Sequence, residues 1–202
     1  MLVKHLAAFA MLLASTTTAM ASGPTVINFD DIPFQGGQPT AFAYPVAGYQ
    51  GFEWGSNWVV SPNDATGWYG GTLQPYSHSG RNFAWSSGGE DLELAVRSGG
   101  TFDLASFWVR AWPNIHFDVT ALGYLNGLRV YTQTAPVTNA YSQVTTNFLH
   151  IDRLVLTEVP KANLLLDDLV VSNISPIPEP ASVALFMLGL AGLAVLRRSR
   201  AH

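Results

Sequence analysis

IHFDVTALGYLNGLRVYTQT, residues 115–134, decides the fold. Ile115, Phe117 and Val119 alternate with His116, Asp118 and Thr120, the period of two expected of a strand with one buried face. Asn126-Gly127 follows, the dipeptide that two-residue hairpin turns favour because both central residues take positive φ. It sets Tyr124-Leu125 opposite Leu128-Arg129, and Leu128 to Thr134 returns as the partner strand.

The same pattern extends both ways from this hairpin. Upstream, Leu92, Leu94 and Val96 alternate with Glu93, Ala95 and Arg97, and Thr101 to Trp112 is a longer apolar strand ended by Pro113-Asn114. Downstream, Tyr141–Phe148, Arg153–Val159 and Leu164–Val171 read as strands. Nearer the N-terminus, Thr25–Phe29, Phe52–Trp54, Trp58–Val60 and Asn82–Ser86 are shorter candidates. They are separated by segments rich in Gly and Pro, Phe34 to Gly51 and Ser61 to Gly80, expected to be irregular. About nine to eleven strands without a helical period predict an all-β fold, an antiparallel β-sandwich.

Composition narrows the function. Between Ser22 and Ile177 thirteen acidic residues stand against six basic ones, a net charge of about −7. No basic stripe is available to neutralise phosphates, so no nucleic-acid partner is expected. The chain has no cysteine, which excludes thiol nucleophiles, iron–sulfur clusters and cysteine zinc sites.

The two ends carry targeting information. Lys4-His5, the apolar run Leu6–Ala14 and Ala19-Met20-Ala21 have the order of a cleavable secretory signal, residues 1–21, with an uncleaved membrane anchor as the alternative. The β-sandwich domain is assigned to residues 22–175 and a tail to 176–202. In that tail Pro178-Glu179-Pro180 precedes the uncharged residues 181–196, and Arg197, Arg198 and Arg200 close the chain. Sixteen helical residues reach about 24 Å, slightly short of a ~30 Å hydrocarbon core, so a transmembrane helix here needs thinning or snorkelling by the arginines. The arginines favour the cytoplasmic side, which leaves the domain outside. The two prolines stiffen the entry and remove backbone donors, keeping it extended.

These three parts in this order resemble the PEP-CTERM sorting tail of exported Gram-negative proteins. The resemblance implies Pro178, Glu179 and Pro180 as recognition element, the arginines as cytoplasmic end, and an exosortase as processing partner. Signal peptidase and the secretion translocon are implied at the other end, and the final location is the cell surface or the exterior. An ordinary C-terminal anchor is the alternative. The runs INFDDIP, GYQGFEW, VTALGYLNGLRVYTQTAPV, FLHIDRLVLTE and LLLDDLVVS also resemble jelly-roll or galactose-binding-like sandwiches found ahead of such tails.

Two groups of residues are candidates for chemistry. Asp30-Asp31 end the first strand and Asp167-Asp168 interrupt the last, with one member of each pair expected on each side of the sheet. If first and last strands are neighbours, these carboxylates and backbone carbonyls can form an oxygen cage for structural Ca²⁺. The alternative makes Asp30 and Asp31 turn caps and places Asp167 or Asp168 at a solvated edge. No cofactor is required. Trp68, Tyr69 and Tyr76 lie in a Gly-rich loop with polar company, and Trp112 ends a strand beside Asn114. Such rings suit stacking against sugar C–H faces, or simply pack the loop. Trp54 and Trp85 are expected to fill the core. His78 between Ser77 and Ser79 invites a catalytic triad, but no G-x-S-x-G elbow accompanies it. The expected role is therefore non-enzymatic: structural or adhesive in an exopolysaccharide or biofilm matrix, with a glycan-binding module as the alternative.

Overall fold

The computed structural model describes residues 23–34, 48–63, 76–97, 99–112 and 115–175. The expected signal segment and sorting tail lie outside these residues. Eleven strands are present among them: β1 Thr25–Ile27, β2 Phe52–Trp54, β3 Trp58–Pro62, β4 Asn82–Ser86, β5 Leu92–Val96, β6 Thr101–Ala111, β7 Phe117–Leu125, β8 Leu128–Val137, β9 Ser142–Ile151, β10 Arg153–Val159 and β11 Leu164–Ser175. Two single turns of 3₁₀-helix, Tyr49–Gly51 and Ser87–Gly89, are the helical elements described.

The strands form two antiparallel sheets, an all-β jelly-roll-like sandwich. Sheet A runs β3-β4-β11-β6-β9, with β1 also on β11, and sheet B runs β2-β5-β10-β7-β8. The decisive hairpin forms in the expected register, with Leu125 opposite Leu128 and Phe117 opposite Val137. Asn126 and Gly127 have φ of 52° and 77°, as a two-residue turn of this hand needs. The returning strand runs on to Val137 through Pro136. β8 is the last strand of its sheet, where a missing N–H costs no ladder bond.

Alternation places the core between the sheets. Phe102, Leu104, Phe107 and Val109 of β6 and Leu164, Leu166, Leu169 and Val171 of β11 are buried against Leu92, Leu94, Val119, Leu154 and Leu156 of sheet B. Each such side chain contributes about 1.5–3 kcal/mol when removed from water. Trp58 is fully buried here, its Nε1 donating to the Glu93 carbonyl at 2.7 Å. Trp54 packs edge-on against Trp58 at 4.8 Å. The expectation that Trp85 fills the core is corrected: Ala84 takes the inward position, so Trp85 faces outward and donates to Ser61 Oγ at 3.0 Å.

The inward row of β10 ends in Glu158, a buried carboxylate. Its oxygens accept from Ser86 Oγ at 2.5 Å, Ala162 N at 2.9 Å and Leu164 N at 3.2 Å. Burial pushes its carboxyl above the usual range, against the pull of these donors. The group ties sheet B to β4 of sheet A and holds the turn that feeds β11.

Candidate functional site

First and last strands are neighbours. β1 pairs antiparallel with β11, with Ile27 opposite Leu169, so carboxylates from both ends of the domain reach one segment, residues 76–82. Phe29 adopts φ 63° after β1 and turns the chain, and Ile32 N donates back to its carbonyl at 3.1 Å. Asp30 is thereby aimed at the segment, where its Oδ1 accepts from Arg81 N at 2.7 Å and Asn82 N at 3.0 Å. Asn82 answers from its side, donating through Nδ2 to the carbonyls of Phe29 at 2.7 Å and Ile32 at 3.1 Å. Gly80 takes φ +54° directly against Asp30, and a Cβ there would collide with the carboxylate.

β11 grips the same segment from beneath. Asp167 Oδ2 accepts from His78 N at 2.9 Å and Ser79 N at 3.0 Å, and its Oδ1 accepts from Asp168 N at 2.8 Å. Asp168 meets His78 Nδ1 at 2.6 Å and accepts from Ser79 Oγ at 2.7 Å. The expectation that the pair splits across the sheet is corrected. Asp168 has φ 46° at a break in the β6–β11 register, a bulge that turns both carboxylates onto His78-Ser79. Neither stands on a solvated edge, since β11 is central and Asp167 is fully buried. The Asp167 carboxyl is pushed up to about 7, chiefly by burial and further by the Asp168 charge, against the N–H donors of Ser79, Asp168 and His78.

Asp31 goes elsewhere, accepting from Tyr49 Oη at 2.5 Å and Gln50 Nε2 at 3.1 Å. Of the four carboxylates paired in sequence, three therefore meet on one turn and the fourth does not. Among the described residues no three His, Cys, Asp or Glu side chains converge as a metal ion requires.

The clamped segment lays aromatic groups over the outer face of sheet A. The His78 ring stacks on Trp108 at 3.8 Å and 13°, and meets Tyr141 edge-on at 5.4 Å. Tyr141 Oη donates to the Tyr76 carbonyl at 2.5 Å. Burial pushes that phenol above its ordinary range, and the Asp167 charge adds to it. Tyr76 stacks face to face on Trp112 at 5.1 Å and 9°. The Arg110 guanidinium sits 5.6 Å from both the Tyr76 and Tyr141 rings. Tyr76 and Trp112, named from sequence as glycan contacts, are thus brought together, each half-buried, while Trp68 and Tyr69 lie outside the described residues.

His78 was expected beside the loop aromatics, whereas Trp108, Arg110 and Tyr141 were missed as members of this group. A signal existed for two of them: Trp108, Arg110 and Trp112 recur at a period of two and must share the outward face of one strand. The catalytic reading of His78 finds no support in its geometry, because Ser79 Oγ donates to Asp168 rather than to the imidazole. The arrangement sets Tyr76, Trp112, His78, Trp108, Tyr141 and Arg110 side by side along one sheet, with the Tyr76 ring stacked on Trp112 and the His78 ring on Trp108.

Residues 176–199 match the PEP-CTERM protein-sorting motif. The chain is thus an antiparallel β-sandwich followed by a C-terminal sorting signal, and that signal is of the PEP-CTERM type. Such a signal marks an exported protein, anchored at its C-terminus before processing. No curated protein matches the sequence. Among solved structures the chain is similar to the CBM22-1–CBM22-2 tandem domain of Paenibacillus barcinonensis Xyn10C, at 15% identity over 81% of this chain and 48% of that one, with a TM-score of 0.46. It spans about half the length of that tandem structure. A CBM29-2 carbohydrate-binding module is similar at 16% identity, 75% and 93% coverage and a TM-score of 0.42. The K1 cleaved adhesin domain of Lys-gingipain from Porphyromonas gingivalis is similar at 10% identity, 74% and 97% coverage and a TM-score of 0.41.

Proposed function

We propose that this protein is a non-enzymatic cell-surface or extracellular component, sorted through its tail by an exosortase, with a structural or adhesive role in an exopolysaccharide matrix. The motif match at residues 176–199 carries the reading. On this reading Pro178-Glu179-Pro180 is the element presented to the protease, and Arg197, Arg198 and Arg200 mark the cytoplasmic end of the uncharged segment 181–196. Mass spectrometry of the mature C-terminus from cells with and without exosortase tests it. Trimming at or near residue 180 only in the exosortase-positive cells is expected, and a full-length C-terminus in both ends the reading.

A second reading makes the domain a carbohydrate-binding module. The cluster of Tyr76, Trp112 and Arg110 on the outer face of sheet A favours it. Stacking of a nucleobase on one ring is worth about 1–3 kcal/mol, and a comparable loss on a sugar face would make Trp112→Ala weaken a polysaccharide by roughly 5-fold to 100-fold. A glycan array without a saturable hit, or a hit indifferent to Trp112→Ala, removes this reading and leaves the sorting proposal intact.

A further inference from the structure

The outer edges of the two sheets are defended unequally. β2, at one end of sheet B, has three residues. β3, at one end of sheet A, is buried along its whole length and ends in Pro62. β9, at the other end of sheet A, is broken by positive φ at Asn147 and His150 and by shifted register against β6. Short length, cover, proline and bulges are the usual means of preventing edge-to-edge pairing. β8 has few of them. It runs for ten residues, Leu128 to Val137, and pairs only with β7 among the described residues. Leu128 and Val130 are 71% and 47% exposed, although both are apolar. Arg129 is its one charge, and Pro136 stands at its far end.

We infer that β8 is the assembly edge of this protein and that its occupant is the β8 strand of a second copy, paired antiparallel about a two-fold axis. Strand addition at an open edge satisfies main-chain donors and acceptors that otherwise bond to water. The charge pattern selects the direction. Parallel pairing in register would set Arg129 against Arg129, a like-charge contact across the ladder. Antiparallel pairing about Thr132 sets Arg129 opposite Ala135, Leu128 opposite Pro136 and Val130 opposite Thr134. Both exposed apolar side chains are then covered by neutral partners, and β-branched residues face each other, as strand pairing favours. One patch serves both copies, so the assembly closes as a dimer. Two five-stranded sheets become one continuous sheet of ten.

The chain's lack of cysteine makes the test direct. Single cysteines are placed at each of residues 130–134 in the full chain, expressed with export, and disulfide dimers are read on non-reducing gels. Residues facing each other at the axis lie within disulfide reach, so the dimer band should peak at Thr132 or a direct neighbour. Thr157→Cys, on the same face but on central β10, is the control and should stay monomeric. Sedimentation of the cysteine-free full chain in detergent should show a dimer that Thr134→Pro, whose N–H lies on the same outward side as the nitrogen of Pro136, or Thr132→Lys converts to monomer, with the far-ultraviolet circular dichroism unchanged. A flat crosslinking profile equal to the Thr157→Cys control overturns the inference, as does a dimer that survives both edge substitutions.

Discussion

The outer faces of the two sheets obey one alternation and put it to different ends. On sheet A the outward positions hold Trp85, Asp167, Trp108 and Arg110, and residues 76–81 are strapped across them by Asp30, Asp167 and Asp168. On sheet B, Thr157, Thr120 and Thr134 lie side by side across β10, β7 and β8, followed by a row of Val155, Leu122 and Thr132. One Thr pair is hydrogen bonded, Thr120 Oγ1 to Thr134 Oγ1 at 2.9 Å, and Arg153 lies 4.2 Å over the Tyr124 ring. Sheet A therefore builds a polar, aromatic relief that suits a ligand. Sheet B carries no such strap among the described residues and ends at β8. The difference lies in residues 76–81, the described part of the connection into β4, which lie against sheet A.

Gly80→Ala should break that contrast most strongly. The new methyl group meets the Asp30 carboxylate at a φ that side chains rarely adopt, at a cost of roughly 3 kcal/mol. Thermal unfolding should show a Tm lower by several degrees, and a Tm within a degree of the parent would mean the strap is not clamped as described.

The next effect is pH dependent. Asp167 titrates near 7 in the folded chain against an ordinary 3.8. Between those values the folded chain keeps a proton that the unfolded chain has released, so its contribution to stability is complete below about pH 4 and lost as pH rises through 7. Asp167→Asn does not titrate. Its Tm relative to the parent should therefore climb from pH 4 to pH 7 and level off above. A difference independent of pH would show Asp167 ionised throughout that range.

On sheet B, Thr134→Val should cost no more than about 1 kcal/mol, since only one exposed cross-strand hydroxyl pair is lost. A larger fall in Tm would place sheet B on the same footing as the clamped face. The smallest expected response is to chelation. The Asp30, Asp167 and Asp168 oxygens already accept from N–H and hydroxyl donors, and as a hydrogen-bonded clamp they predict an unchanged Tm in EDTA. The rival proposal, a Ca²⁺ cage at the same residues, requires a fall of several degrees that added Ca²⁺ reverses.

How much of this was legible depends on the range of the interaction. Each strand candidate, from Thr25–Phe29 to Leu164–Val171, overlaps an observed strand, because alternation is a local pattern. The Asn126-Gly127 turn was equally readable. Strand ends were not: β8 continues through Pro136, a residue tolerated because of where that strand sits in the sheet. Trp85 was misplaced because a period of two identifies two faces without saying which is inside. The Asp167-Asp168 pair was expected to straddle the sheet, and a bulge at Asp168 put both on one partner.

Read alone, the order of residues determined an exported, cysteine-free, all-β chain with a sorting tail, since composition, alternation and terminal motifs are properties of neighbouring residues. Tertiary structure alone decided that β1 lies beside β11, that carboxylates from both chain ends hold residues 78–82, and that β8 ends its sheet among the described residues. Those outcomes depend on which strands become neighbours. That choice is made by packing two sheets into one core, between residues as many as 90 positions apart in the case of His78 and Asp168.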